Sequence, residues 1–182
     1  MEKICVKIVD NLITIAELTK TDEDKEVYVY GLLSLIYTMI PFAVLLLISL
    51  PFQRAFEMLL WIFFFLSLRK YAGGFHAKTA TMCFLYSIFL GLSALIICSG
   101  SPRPSAIIYF SCILGNTVPL LIQAPLTHKD FSSRQKHICK LKLGSLILFL
   151  SAMLLLFPSL QIYYLHALTS TTILCIAHKM QK

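Results

Sequence analysis

Acidic side chains almost disappear after residue 26: seven of the nine Asp and Glu residues lie before that point, and only Glu57 and Asp130 follow. Charge of either sign is scarce, at 14% of 182 residues, where an average soluble domain carries about 25%. That shortage excludes an ordinary soluble surface. The apolar segments contain no HExxH pair and no GxSxG elbow, which removes two large peptidase and hydrolase classes. The six cysteines (Cys5, Cys83, Cys98, Cys112, Cys139, Cys175) form no CxxC pair. Neither a zinc site nor a disulfide framework is indicated, and no metal or cofactor is expected. Free thiols fit a cytoplasm-facing or bilayer-buried location. No internal repeat is visible. The opening MEKICVKIVDNL has charges among its apolar residues and no small-residue cleavage pattern, so it is not read as a removable signal peptide.

What remains is hydrophobic: 58% of residues, with a mean hydropathy of +0.79. The expected fold is all-α, a polytopic integral membrane helical bundle forming a single domain over residues 1–182. About six transmembrane helices are predicted, near 30–50, 55–68, 79–98, 106–123, 143–157 and 160–177. The first is ended by Pro51 and broken near its middle by Pro41. The second carries Glu57 near one end and is short enough to need snorkelling by Arg54 and Arg69. Residues 2–19 place Ile4, Ile8, Leu12 and Ile15 at helical spacing, which predicts an amphipathic helix. It lies either in the membrane interface or against the ends of the other helices. Thr21 to Asp24 has the form of a capping box, so a second helix is expected to begin there.

Net charge is +7, and its placement matters more than its size. Lys plus Arg number four before the first span, then one in the loop at 51–54, three at 69–78, one at 99–105, five at 125–142, none at the Pro158 turn and two in the tail. This alternation puts both termini, the 69–78 loop and the 125–142 connection on the cytoplasmic side. Cations confined to short loops between apolar segments argue for anionic lipid or an acidic peptide as partner and against nucleic acid.

One stretch concentrates chemistry. Residues 69–83 read RKYAGGFHAKTATMC, and they set Arg69, Lys70, Gly73, Gly74, His76, Lys78 and Cys83 at the mouth of an apolar helix. A cysteine has an ordinary pKa near ~8.5 and needs a base, nearby positive charge or a helix N-terminus to act as a nucleophile. Here Cys83 has a candidate for each. On a continuous helix His76 and Cys83 would share a face but stand about 10 Å apart. The chain at Gly73 and Gly74 must therefore bend back for His76 to serve as base, and glycine permits that bend. Read singly, each residue has a plainer role: Gly-Gly as a turn, cysteine as a small buried hydrophobe.

In combination, Arg69, Gly73, Gly74, His76 and Cys83 in a multi-span chain of this size resemble the accessory gene regulator protein B family, membrane cysteine endopeptidases that process quorum-sensing propeptides in the bacterial cell membrane. The resemblance covers about fifteen residues. It implies His76 and Cys83 as the catalytic pair. It also implies cleavage of the C-terminal tail of an autoinducer propeptide through an acyl-enzyme, and thiolactone cyclisation when a cysteine of the peptide attacks that intermediate. The implied substrate has an amphipathic leader and an acidic tail, and the implied assembly is a homodimer. Lys129, Arg134, Lys136, Lys140 and Lys142 would seat the tail, or serve topology alone. Asp130 is the better candidate to orient His76, since Glu57 is predicted near the outer side. His166, inside the last span, is either a hydrogen-bonded packing residue or a polar site. The alternative is a non-enzymatic peptide or solute transporter with Gly73 and Gly74 as a hinge, which would expect ionisable residues near mid-bilayer.

Overall fold

The computed structural model describes residues 6–7, 10–11, 22–73, 80–126 and 132–180. Six long helices account for nearly all of them: α1 (Asp22–Ser49), α2 (Ala55–Ala72), α3 (Ala80–Gly100), α4 (Ala106–Gln123), α5 (Ser133–Met153) and α6 (Gln161–Met180), with a 3-10 turn at Pro158–Leu160 before the last. The all-helical expectation is met. Of the predicted N-terminal amphipathic helix, Val6, Lys7, Asp10 and Asn11 are helical, and its other residues lie outside the described ones.

Two features of the helices stand out against the sequence reading. Helix α1 runs without interruption through Pro41. Helix α5 begins at Ser133, about ten residues before the predicted start, because Ser132 and Gln135 form a capping box in which the Ser132 N–H donates to Gln135 Oε1 at 3.0 Å. The basic segment after Ser132 is thus helical rather than a loop.

Helices α2 and α6 form the centre. Helix α2 packs against α1, α3, α4, α5 and α6, and α6 also against α3 and α4. Within the described residues two helices are long and apolar enough to cross a membrane: Ala106–Gln123, 11% buried, and Pro158–Lys179, 56% buried. The contrast separates an outer helix from a central one. Outward faces carry many large apolar side chains, with Leu47, Phe56, Phe89, Ile96, Ile107, Leu114, Leu148 and Leu156 well exposed. A water-soluble monomer does not expose apolar surface to that extent.

Hydroxyl groups inside the helices are satisfied locally. Thr117, Thr169, Thr171 and Thr172 each donate to the carbonyl four residues back at 2.7–2.9 Å, which lets polar residues sit in an apolar bundle without orphaned groups. Gly91 of α3 gives Leu45 of α1 room, since a Cβ there would collide with the leucine's methyl groups.

The centre holds one polar knot. Trp61 Nε1 of α2 donates to His166 Nδ1 at 3.0 Å, Ser93 Oγ of α3 lies 3.2 Å from His166 Nε2, and Ser170 Oγ 3.3 Å from Nδ1. Indole is only a donor, so Nδ1 accepts and Nε2 carries the proton towards Ser93, which itself donates to Leu90 O at 2.8 Å. Trp61 also stacks on Phe65, with ring centroids 5.1 Å apart. Packing outweighs the hydrogen bond here. Trp61→Ala should cost about 3–5 kcal/mol and Trp61→Phe about 1 kcal/mol, read as the unfolding midpoint in detergent. Equal losses in the two variants would assign the stability to the hydrogen bond instead.

Candidate functional site

Helix α2 closes on two cations, Arg69 and Lys70, where positive charge complements the negative end of the helix dipole. The Arg69 guanidinium carbon stands 5.8 Å from the Phe65 ring centroid and Lys70 Nζ 5.7 Å from that of Tyr71. Gly73 then turns the chain. Its N–H donates to Arg69 O at 3.0 Å, completing the last helical bond. Its φ of 93° and ψ of 156° lie in a region open essentially to glycine alone.

The chain leaving this turn meets the segment that follows α4. Leu126 N–H donates to Ala72 O at 2.9 Å, and Gly73 pairs with Leu126 as an isolated parallel bridge. A Cβ at residue 73 would strike the carbonyl oxygen and amide nitrogen of Leu126. Glycine is required here twice over, for its backbone conformation and for the closeness of a second chain. The 69–78 and 125–142 segments, which the sequence placed on one side of the membrane, are thereby stitched together.

Cys83 occupies the first turn of α3, at the positive end of that helix's dipole. Its side chain lies outside the described residues, as do Gly74, His76, Lys78, Lys129 and Asp130. Arg134, Lys136, Lys140 and Lys142 are carried on the N-terminal turns of α5, the first two and Lys142 exposed and Lys140 half-buried. They do not share one face. At about 100° per residue, Lys136 continues the line of the buried Leu143 and Ile147, whereas Arg134 and Lys142 point elsewhere.

Glu57 belongs to the other end. It pairs with Arg54 at 3.1 Å, in a cavity of about 410 Å³ shared with Cys98, Arg103, Pro158 and Tyr163. The 50–54, 101–105 and 154–160 turns therefore gather at one pole of the bundle, opposite Gly73 and Leu126. Among the described residues no cluster of three or more His, Cys, Asp or Glu is placed to hold a metal. His166 resolves to the packing role, held by Trp61, Ser93 and Ser170.

Sequence reasoning missed Leu126, because a main-chain pairing between segments this far apart leaves no local signal. It also missed Gln123, in the last turn of α4, whose buried Oε1 has no hydrogen-bond partner among the described residues. A polar residue closing an apolar run was the available clue.

The family model for accessory gene regulator B matches residues 1–179. The chain belongs to the accessory gene regulator B family. Among curated proteins it is similar to AgrB-like protein 2 of Clostridium perfringens (strain 13 / Type A), 36% identical over 77 residues. An AgrB-like protein of Clostridium perfringens (strain SM101 / Type A) matches to the same extent. Each match spans 42% of this chain and 36% of the relative, so the chain covers about a third of the length of either relative. No solved structure matches it significantly. The match spans the apolar bundle and the RKYAGGFHAKTATMC stretch alike.

Proposed function

We propose that this protein is a membrane-embedded cysteine endopeptidase that removes the C-terminal tail of an autoinducer propeptide and promotes thiolactone closure of the remainder. The family match over residues 1–179 carries the reading. Cys83 is the nucleophile. Its place in the first turn of α3 favours the thiolate, since the helix dipole and the cations of the 69–78 segment both stabilise negative charge. His76 takes the thiol proton and later delivers it to the leaving amine. The scissile C–N bond breaks as the Cys83 sulfur bonds the carbonyl carbon, releasing the tail. A thiol of the peptide then attacks the thioester, forming the ring and returning Cys83 as thiol. Exclusion of water favours this exchange over hydrolysis.

In this reading Arg69, the Gly73 turn and Gly74 support the stretch, and Asp130 orients His76. An acidic tail would be met by Lys129 and the basic first turns of α5. Six spans, both termini and the catalytic stretch on the cytoplasmic side and a homodimer complete the reading. The gathering of three turns at one pole and the Gly73–Leu126 pairing at the other support that sidedness. The transporter alternative loses its best support, because His166 is already engaged by three partners.

The test is capture of the intermediate. Purified protein in proteoliposomes is mixed with a propeptide encoded beside it, quenched in acid and digested, and the fragment containing Cys83 is weighed. The expected mass is that fragment plus the N-terminal part of the propeptide less one water, and hydroxylamine removes the addition. Cleavage of the propeptide with no such adduct under any quench time, or an adduct on another cysteine, would overturn the assignment.

A further inference from the structure

Helices α4 and α5 leave an uncovered apolar groove of about 710 Å³ between them. It runs from Phe110 to Leu121 on α4 and from Gly144 to Leu155 on the α5 side. Eleven residues at 1.5 Å each give about 16 Å, close to the depth of one leaflet, half of a hydrocarbon core of about 30 Å. Its two hydroxyls are already engaged: Thr117 donates to Ile113 O at 2.7 Å, and Ser151 lies 3.2 Å from the Tyr164 hydroxyl. The groove therefore has no free polar group. At Gly144 its wall is bare backbone, and Leu114 and Leu148 beside it are 67% and 73% exposed.

Charge sits above the same line. His137, Leu141, Gly144, Leu148 and Ser151 follow each other on α5 at alternating spacings of four and three, so they form one stripe along the helix. Arg134 and Lys140 flank its upper end, Lys140 one turn above Gly144. Neither α4 nor α5 contains an acid, and the described residues form no ion pair with either cation.

We infer that this groove is a site for one anionic glycerophospholipid, with an acyl chain along α4 and α5 and its phosphate bound by Lys140 and Arg134. The apolar length suits one chain, and two cations without an ion pair among the described residues suit, at one end, a phosphate with net negative charge. A peptide fits less well, because an extended backbone would bring N–H and C=O groups into a groove with nothing left to bond them. The inference needs only that the chain lies in a membrane and does not depend on the peptidase reading, although lipid and acidic tail would compete for Arg134 and Lys140.

Native mass spectrometry tests it on the full-length protein, released from micelles loaded with equal amounts of dioleoyl-phosphatidylglycerol and dioleoyl-phosphatidylcholine. The wild type should retain phosphatidylglycerol about tenfold more than phosphatidylcholine, the ratio expected of one charge-assisted bond. The double variant Arg134→Gln, Lys140→Gln should bring that ratio near one. Leu148→Trp, at an exposed position where bulk fills the groove mouth, should lower retention of both lipids. A wild-type ratio near one overturns the site, as does a ratio unchanged by the double variant. Lipid-free dimers in which Leu148→Trp breaks the association would instead assign the groove to a second copy, and a bound peptide that expels phosphatidylglycerol would assign it to substrate.

Discussion

Cys83→Ala and His76→Ala should each take propeptide cleavage below detection in membranes that still contain the protein, a loss of roughly 10⁴-fold or more. The size follows from the chemistry. Without the thiol no acyl-enzyme forms, and thioester exchange has no starting point. Without the imidazole, the thiol must ionise unaided and the departing amine must leave unprotonated, both costly near neutral pH. The helix dipole supplies only a fraction of this, typically about 0.3–1 kcal/mol for an exposed charge. The base rather than the dipole therefore dominates. Cys139→Ala and Cys112→Ala, both at partly buried positions elsewhere in the bundle, should leave cleavage intact. Mass spectrometry of co-expressed propeptide fragments, with immunoblots for membrane level, decides it. Persistent cleavage in the absence of Cys83 would reduce the RKYAGGFHAKTATMC stretch to a turn.

Gly73→Val should cost at least about a hundredfold in the same assay while the helices stay folded. Forcing a non-glycine residue into this conformation costs about 1–3 kcal/mol by itself, and a β-branched residue adds a collision with the Leu126 backbone. The pairing must open to relieve it. Limited proteolysis should then cut near Leu126 in the variant faster than in the wild type, with unchanged helical circular dichroism. Gly115→Ala is the matched control, since a Cβ there meets nothing within 4 Å. Inside α4 it should be neutral or stabilising by about 0.5–1 kcal/mol. Full activity in Gly73→Val would show that the two segments need not be joined.

Much of this fold is written locally. The start of α2 at Ala55 follows a Pro-containing turn, and α4 is bracketed by SGSPRPS and by Pro125, so both helices begin at the residue expected. The start of α5 was equally legible in Ser132 and Gln135, but its run of cations reads as a cytoplasmic loop when charge is weighed above capping. Helix formation does not require an apolar environment, and Arg, Gln, Lys and Leu all favour it. Pairings between distant segments were not legible. Trp61 and His166 are 105 residues apart, and each alone reads as an aromatic or a polar oddity in an apolar run. In the candidate site, Gly73 announced a bend but not its partner, because Leu126 contributes only main-chain atoms, which every residue has.

The Gly73–Leu126 pairing also imposes an order on biosynthesis. Helix α2 and the stretch holding His76 and Cys83 leave the ribosome well before Leu126 exists, so the turn at Gly73 waits with its partner unmade until α4 has been threaded. A nascent chain stopped in α4 would carry residues 69–83 without the segment that pairs with Gly73. Completion of the fourth helix, rather than emergence of the thiol, is then the moment at which this end of the protein acquires a defined form.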